Sequence, residues 1–358
     1  VHQEATSIEL SATSEILDIS SVIKSLQIKP TIYPSTANYK TGITWTSSNN
    51  DVAVVDSNGF VTGISNGEVT ITATTENGRA ATWKVVVIST PLEISLDSEN
   101  LVLDINGVNT HQYATTIYPS TANASIGLRW EIESSSSPNV ISISSNGVVT
   151  GLSNGTATVR VTTENNKTAT CNVTVVTSPT GVTLDKSKAT VDLSGTKTVE
   201  LTAKIQPDTA NIYTELSWIS EAPEIAQVEK LNGSTVKVTG ISNGSAKIKV
   251  RTENGKEATC VIVVETSITG IEIIPKTAKI NMLEDPKLQL NKKLTPESAT
   301  ELVTWTSSNT SVATVDKNGL VTGVKAGVVT ITVKNPSGDK FDTATITVTQ
   351  KPTESTPV

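Results

Sequence analysis

One pattern recurs four times along this chain and limits what it can fold into. Trp45, Trp130, Trp218 and Trp305 are separated by 85, 88 and 87 residues. Each is followed by a Val-Thr-Gly triplet, ending at Gly63, Gly151, Gly240 and Gly323. Each is preceded by a segment that reads Ile32-Tyr33-Pro34-Ser35-Thr36-Ala37-Asn38 in the first copy and Ile117-Tyr118-Pro119-Ser120-Thr121-Ala122-Asn123 in the second. It becomes Ile205-Gln206-Pro207-Asp208-Thr209-Ala210-Asn211 and then Leu294-Thr295-Pro296-Glu297-Ser298-Ala299-Thr300. Markers in fixed order at a fixed period define tandem units. The 358 residues divide as 1–90, 91–178, 179–267 and 268–350, with 351–358 a polar tail or linker. The connecting Ser89-Thr90-Pro91, Thr177-Ser178-Pro179-Thr180 and Thr266-Ser267-Ile268-Thr269 are too short to act as long flexible tethers.

Within each unit the hydrophobic period is two. Val69-Thr70-Ile71-Thr72-Ala73-Thr74 alternates apolar and polar, and Ala246-Lys247-Ile248-Lys249-Val250 puts both lysines on one face. That is the pattern of a half-buried strand in an antiparallel sheet, and β-branched Val, Ile and Thr suit a pleated surface. Asn58-Gly59, Asn146-Gly147, Asn232-Gly233 and Asn318-Gly319 read as type I′ hairpin turns. Gly63, Gly151, Gly240 and Gly323 read as the points where a strand ends and the chain turns. About seven short strands per unit make a small β-sandwich. The class is all-β, with Trp45, Trp130, Trp218 and Trp305 as the main core rings between two sheets. Trp83 takes the slot held by Cys171, Cys260 and Ile346 elsewhere. Cys171 and Cys260 are each the only cysteine of their unit, at an apolar strand position, which predicts two free buried thiols. Tyr33, Tyr118 and Tyr213 are expected to cover the edge of the core.

The side-chain inventory excludes much chemistry. There are two His, two Cys and one Met, and no CxxC, HExxH, GxGxxG or GxxxxGK[ST] pattern. The balance of 28 Lys and Arg against 35 Asp and Glu leaves a net charge of −7, which suits neither nucleic acid nor an anionic lipid surface. No apolar stretch approaches the roughly 20 residues of a membrane-spanning helix. Val1-His2-Gln3-Glu4-Ala5 does not look like a signal peptide, so a targeting segment was removed or export takes another route. Asp56 and Asp316 stand beside turns and read as Asx-turn formers rather than calcium ligands. No catalytic residue, cofactor or metal site is expected.

The run Val303-Thr304-Trp305-Thr306-Ser307-Ser308-Asn309 with Val312-Ala313-Thr314-Val315-Asp316-Lys317-Asn318-Gly319-Leu320-Val321-Thr322-Gly323 resembles the signature of the bacterial immunoglobulin-like domain, group 2 (BIG2). Ile43-Thr44-Trp45-Thr46-Ser47-Ser48-Asn49 repeats it closely, whereas Leu128-Arg129-Trp130-Glu131-Ile132-Glu133 departs from it. The resemblance implies four immunoglobulin-like sandwiches in series, arranged as an extended rod of ~120–160 Å. Relatives occur in bacterial adhesins, S-layer proteins, secreted glycosidases and phage particles, and carry no common catalytic residues. It therefore implies a non-catalytic spacer or stalk on a bacterial surface, with weak attachment to a host-cell protein or glycan through end loops. A phage virion protein and the accessory region of a larger secreted enzyme are the alternatives. The partners implied are neighbouring domains or copies of a surface or virion assembly, with no nucleic acid and no membrane insertion.

Overall fold

The computed structural model describes residues 1–350, so the tail or linker expected at 351–358 lies outside the described residues. Contacts divide the chain into two compact units, Val1–Ser178 and Pro179 onward, and each contains two sandwiches. Among the described residues there is no helix, and so none long and apolar enough to cross a membrane.

The first sandwich shows the plan. Its strands are β1 (Ser7–Leu10), β2 (Ser14–Asp18), β3 (Ser25–Gln27), β4 (Pro30–Tyr33), β5 (Ile43–Ser47), β6 (Ala53–Val55), β7 (Phe60–Gly63), β8 (Gly67–Thr75) and β9 (Ala80–Ile88). One sheet has the order β2-β9-β8-β5. The opposing layer consists of β1 paired with β4, and β3-β7-β6. In the third sandwich one strand, Thr198–Gln206, replaces the β3–β4 pair and joins that layer into a single four-stranded sheet. β2 runs parallel to β9, from Ser14 opposite Lys84 to Asp18 opposite Ile88, and all four sandwiches repeat this pairing.

Alternation puts one face of each strand inward. In β8, Val69, Ile71 and Ala73 are buried while Glu68 and Thr70 face water. Each sandwich holds its own core: Ile71, Trp83 and Val85 in the first, Ile331, Ile346 and Val348 in the fourth. Stability thus comes from several modest cores.

Several expectations from the sequence need correction. Trp305 is buried in the fourth core as expected, whereas Trp45, Trp130 and Trp218 are half-buried and pack against their cores from an edge strand. In the first sandwich the ring inserted most fully is Trp83, on the inner strand β9, at 2% exposure. The Asn-Gly turns are not type I′, which requires positive φ at both residues. Only the glycine has it: 78° at Gly59, 82° at Gly147 and 85° at Gly319. These are turns closed by a left-handed glycine, and Asp56 Oδ1 braces the first by accepting the N–H groups of Asn58 and Phe60 at 2.8 Å each. Gly233 has no positive φ; there Asn232 Oδ1 accepts the N–H groups of Ser234 and Thr235 and shapes a different turn.

Gly63, Gly151, Gly240 and Gly323 each end a strand, as expected, and do so without a left-handed φ. Space requires them. A Cβ at Gly63 would sit 2.6 Å from Ile19 Cγ2, and one at Gly240 2.9 Å from Val191 Cγ2. The two sheets approach closely at this point. Register also moves the cysteine slot. Trp83, Cys171 and Cys260 face Ile71, Val159 and Ile248, and the residue facing the equivalent Ile331 is Ala344. Ile346 lies two residues on and pairs with Val329. A period of two defines a face but cannot distinguish registers that differ by two. Finally, Tyr33, Tyr118 and Tyr213 are 42%, 62% and 49% exposed. Ile32 and Ile117 take the inward positions, so the neighbouring tyrosines point outward.

Candidate functional site: the domain junctions

The residues that do something beyond filling a core gather where one sandwich meets the next. Four kinds of hydrogen bond gather at the joints inside the two compact units and on the linkers, mostly from short polar side chains to backbone.

The first is a two-way clamp on the linker. Asn123 Oδ1 accepts the N–H of Ser89 at 3.0 Å, and the N–H of Asn123 donates to the Ser89 carbonyl at 2.9 Å. In the second unit Thr300 does the same for Thr266, at 3.3 and 3.0 Å. The Pro-Ser-Thr-Ala-Asn marker is thus a linker clamp. The second bond crosses the joint. Asn66, in the turn after Val-Thr-Gly, donates its amide to the Thr121 carbonyl. Asn243 donates to the Ser298 carbonyl at 2.9 Å and accepts the Thr266 hydroxyl at 2.7 Å. The third comes from the last hairpin turn, where Asn77, Asn165 and Asn254 donate to the carbonyls of Ala5, Pro91 and Pro179 at 2.7–2.8 Å.

The fourth is a carboxylate at the end of the strand equivalent to β2. Asp104 accepts the N–H of Ser178 at 3.0 Å, and Asp192 accepts that of Ser267 at 3.0 Å. Asp18 accepts the Thr90 hydroxyl at 2.7 Å. Partial burial pushes each carboxyl upward. Bonds from Ser20 and Thr90, from Ser178 and Asn106, and from Ser267 and Ser194 outweigh it and hold all three below the ordinary 3.8.

Other polar clusters have less chemistry in them. His111 Nε2 lies 3.1 Å from Asp97 Oδ2, and its ring meets Tyr113, which stacks on Trp130 at 5.4 Å. Burial pushes the Tyr113 hydroxyl and the Cys171 thiol upward, so neither ionises near neutral pH. Burial does the same to Cys260. Both cysteines are buried and unpaired. A thiol kept protonated and out of water is a poor nucleophile. A charged disulfide reagent is expected to react negligibly with the native protein and to titrate two thiols per chain once it is denatured. Rapid reaction before denaturation would contradict this burial. Among the described residues no three His, Cys, Asp or Glu side chains gather as a metal cluster.

The pattern that defines the bacterial Ig-like domain (group 2) matches residues 4–86, 94–173, 179–263 and 267–348. The chain belongs to that family. The chain is also similar to curated relatives. Ice-binding protein 1 of Shewanella frigidimarina is 26% identical over 97% of this chain and 40% of its own length. The Ig-like virion protein of Serratia phage KSP90 is 31% identical over 41% of this chain and 57% of its own. The chain therefore spans 40% and 57% of these relatives' own lengths, under two thirds of either. Among solved structures, invasin, a bacterial integrin-binding protein, aligns over 96% of this chain and 79% of its own, at 15% identity and a TM-score of 0.40.

Sequence reasoning singled out the tryptophans, cysteines and glycines, which are structural. It placed Asn123 in the repeat marker and Asn77 in a tight turn without giving either a role at a joint, and it passed over Asn66, Asp18, Asp104 and Asp192. A signal was available: Ser-Asn-Gly recurs at Ser65-Asn66-Gly67, Ser153-Asn154-Gly155 and Ser242-Asn243-Gly244.

Proposed function

We propose that this group 2 Ig-like chain is a non-catalytic spacer that works outside the cytoplasm and holds another element away from a bacterial surface. One observation carries this reading: the specialised polar side chains serve the joints between sandwiches. A tether would need no such bonds, whereas a stiff spacer does. Each neutral bond is worth about 1 kcal/mol, which makes an intact joint roughly five-fold more populated per bond. Weak attachment to a cell or glycan, through end loops, is compatible with this role.

Small-angle scattering is the direct test. The wild-type chain is expected to give the profile of an extended particle with narrow bending. The pair Asn66→Ala and Asn243→Ala is expected to broaden it while leaving the thermal transitions of the sandwiches in place. A compact wild-type particle, or an unchanged profile in the double variant, would defeat the proposal.

A second reading has its own support in the similarity to a phage Ig-like virion protein. In that reading the same spacer decorates a particle. Immunogold electron microscopy of the producing culture separates the two: label along the cell envelope supports the surface stalk, and label confined to particles supports the virion component.

A further inference from the structure

We propose that the leading face of the first sandwich, around Thr36–Tyr39, is a docking surface for another domain of this fold, one that presents a Ser-Asn-Gly turn and enters through Gln3. The inference rests on the junction reading given above. Its ground is a set of bonds already formed on that face.

Gln3 stands five residues before Ile8, as Ser89 stands five before Ile94 and Thr266 five before Ile271. All three isoleucines hold the same register, opposite Ile32, Ile117 and Leu294. Gln3 is gripped as those linker residues are. Its N–H donates to Asn38 Oδ1 at 3.0 Å, and its carbonyl accepts the N–H groups of Asn38 at 2.9 Å and Tyr39 at 3.1 Å. Ser89 makes the matching three bonds with Asn123 and Ala124. Two residues on, Asn77 donates to the Ala5 carbonyl at 2.8 Å, as Asn165 does to that of Pro91. A clamp of this kind costs ordering entropy at an exposed segment. Elsewhere in the chain it holds the linker against the sandwich that follows.

The same geometry defines the partner. The carbonyl of Thr36 corresponds to those of Thr121 and Ser298, which accept the amides of Asn66 and Asn243. The N–H of Glu4 corresponds to those of Ser178 and Ser267, which donate to Asp104 and Asp192. The Glu4 carboxylate is turned toward Lys40, at 3.7 Å, and Asn77, at 3.4 Å, so an incoming aspartate would meet a charge already partly balanced. A fitting domain therefore offers an asparagine amide to Thr36 and a carboxylate to Glu4. The first three sandwiches carry both groups. The fourth carries neither, having Ala326 where Asn66 stands and Asn281 where Asp18 stands. Copies of this chain would not join tail to head by these bonds.

The test fuses a second copy of residues 4–88 directly to Gln3 of the full chain. Spin labels report two distances in the same molecule: added copy to first sandwich, and first sandwich to second. Equally narrow distance distributions are expected, with the first broadened alone by Asn66→Ala in the added copy. A fusion that carries residues 268–349 instead is expected to give a broad first distribution. A broad first distribution for the 4–88 fusion beside a narrow second one would overturn the docking surface and leave the junction reading standing. Two broad distributions would overturn both. A narrow first distribution with the 268–349 fusion, or with the Asn66→Ala copy, would overturn the stated partner chemistry.

Discussion

Alanine at Gly147 is expected to cost the second sandwich about 2–4 kcal/mol, whereas alanine at Gly233 costs the third less than about 0.5. The two glycines occupy matching turns and look alike in sequence. Gly147 has φ of 82°, and a Cβ there would lie 2.6 Å from Trp130 Cζ2 and 2.8 Å from Cε2. Left-handed backbone costs an ordinary residue roughly 1–2 kcal/mol, and forced overpacking roughly 1–3 more. Trp130 cannot easily retreat, because Tyr113 stacks on it. Gly233 has neither problem: its φ is not positive, and no heavy atom lies within 4 Å of its Cβ position. In a sandwich of this size 1 kcal/mol moves the midpoint by roughly 4–8 °C, so Gly147→Ala should lower one calorimetric transition by about 8–32 °C and leave the rest in place. Gly319→Ala should do the same to the fourth sandwich, where the Cβ would lie 2.7 Å from the Leu290 carbonyl. Equal shifts for Gly147→Ala and Gly233→Ala would mean that the turn does not rest on the tryptophan.

This contrast also marks how far the sequence could be read. Alternation at Val69–Thr74 and repetition of the tryptophan were enough for the fold class and the fourfold plan. Both are local or periodic signals, and they survive without knowledge of what packs where. Whether a glycine serves a positive φ, as at Gly59, or a close approach, as at Gly63, depends on atoms from strands distant in sequence. The confusion of Ala344 with Ile346 has a similar origin, since only pairing to Ile331 separates two inward residues on one strand. The junction residues were hidden for another reason. Asn, Asp, Ser and Thr are common in turns for purely local reasons, so nothing local sets Asn66 and Asp18 apart from ordinary turn residues. Their bonds to Thr121 and Thr90 span 55 and 72 residues.

The junction aspartates are expected to make the joints acid-labile, and the sign follows from the direction of their shifts. Burial alone would raise Asp18, Asp104 and Asp192, but bonds from Thr90, Ser178 and Ser267 leave each below 3.8 in the folded protein. A carboxyl that binds protons less readily when folded stabilises the folded form above its unfolded value. That contribution is whole above about pH 4–5 and is lost as the pH falls below 3.8 through the lowered values. Chemistry gives the reason: a protonated carboxyl accepts more weakly, and the N–H groups of Ser178 and Ser267 then lose a charged partner. Replacing Asp192 with alanine should cost about 1–3 kcal/mol at pH 7, because the N–H groups of Ser194 and Ser267 lose their acceptor. The penalty should shrink as the pH falls below 3.8 through the lowered value of Asp192 and the wild-type carboxylate takes up its proton. Denaturant titrations of both proteins at pH 7 and pH 2 give the comparison. A penalty of the same size at both values would show that Asp192 acts by its shape and not its charge. A penalty confined to pH 7 would assign the linker to its charge, and a spacer held in this way would stiffen at neutral pH and loosen in acid.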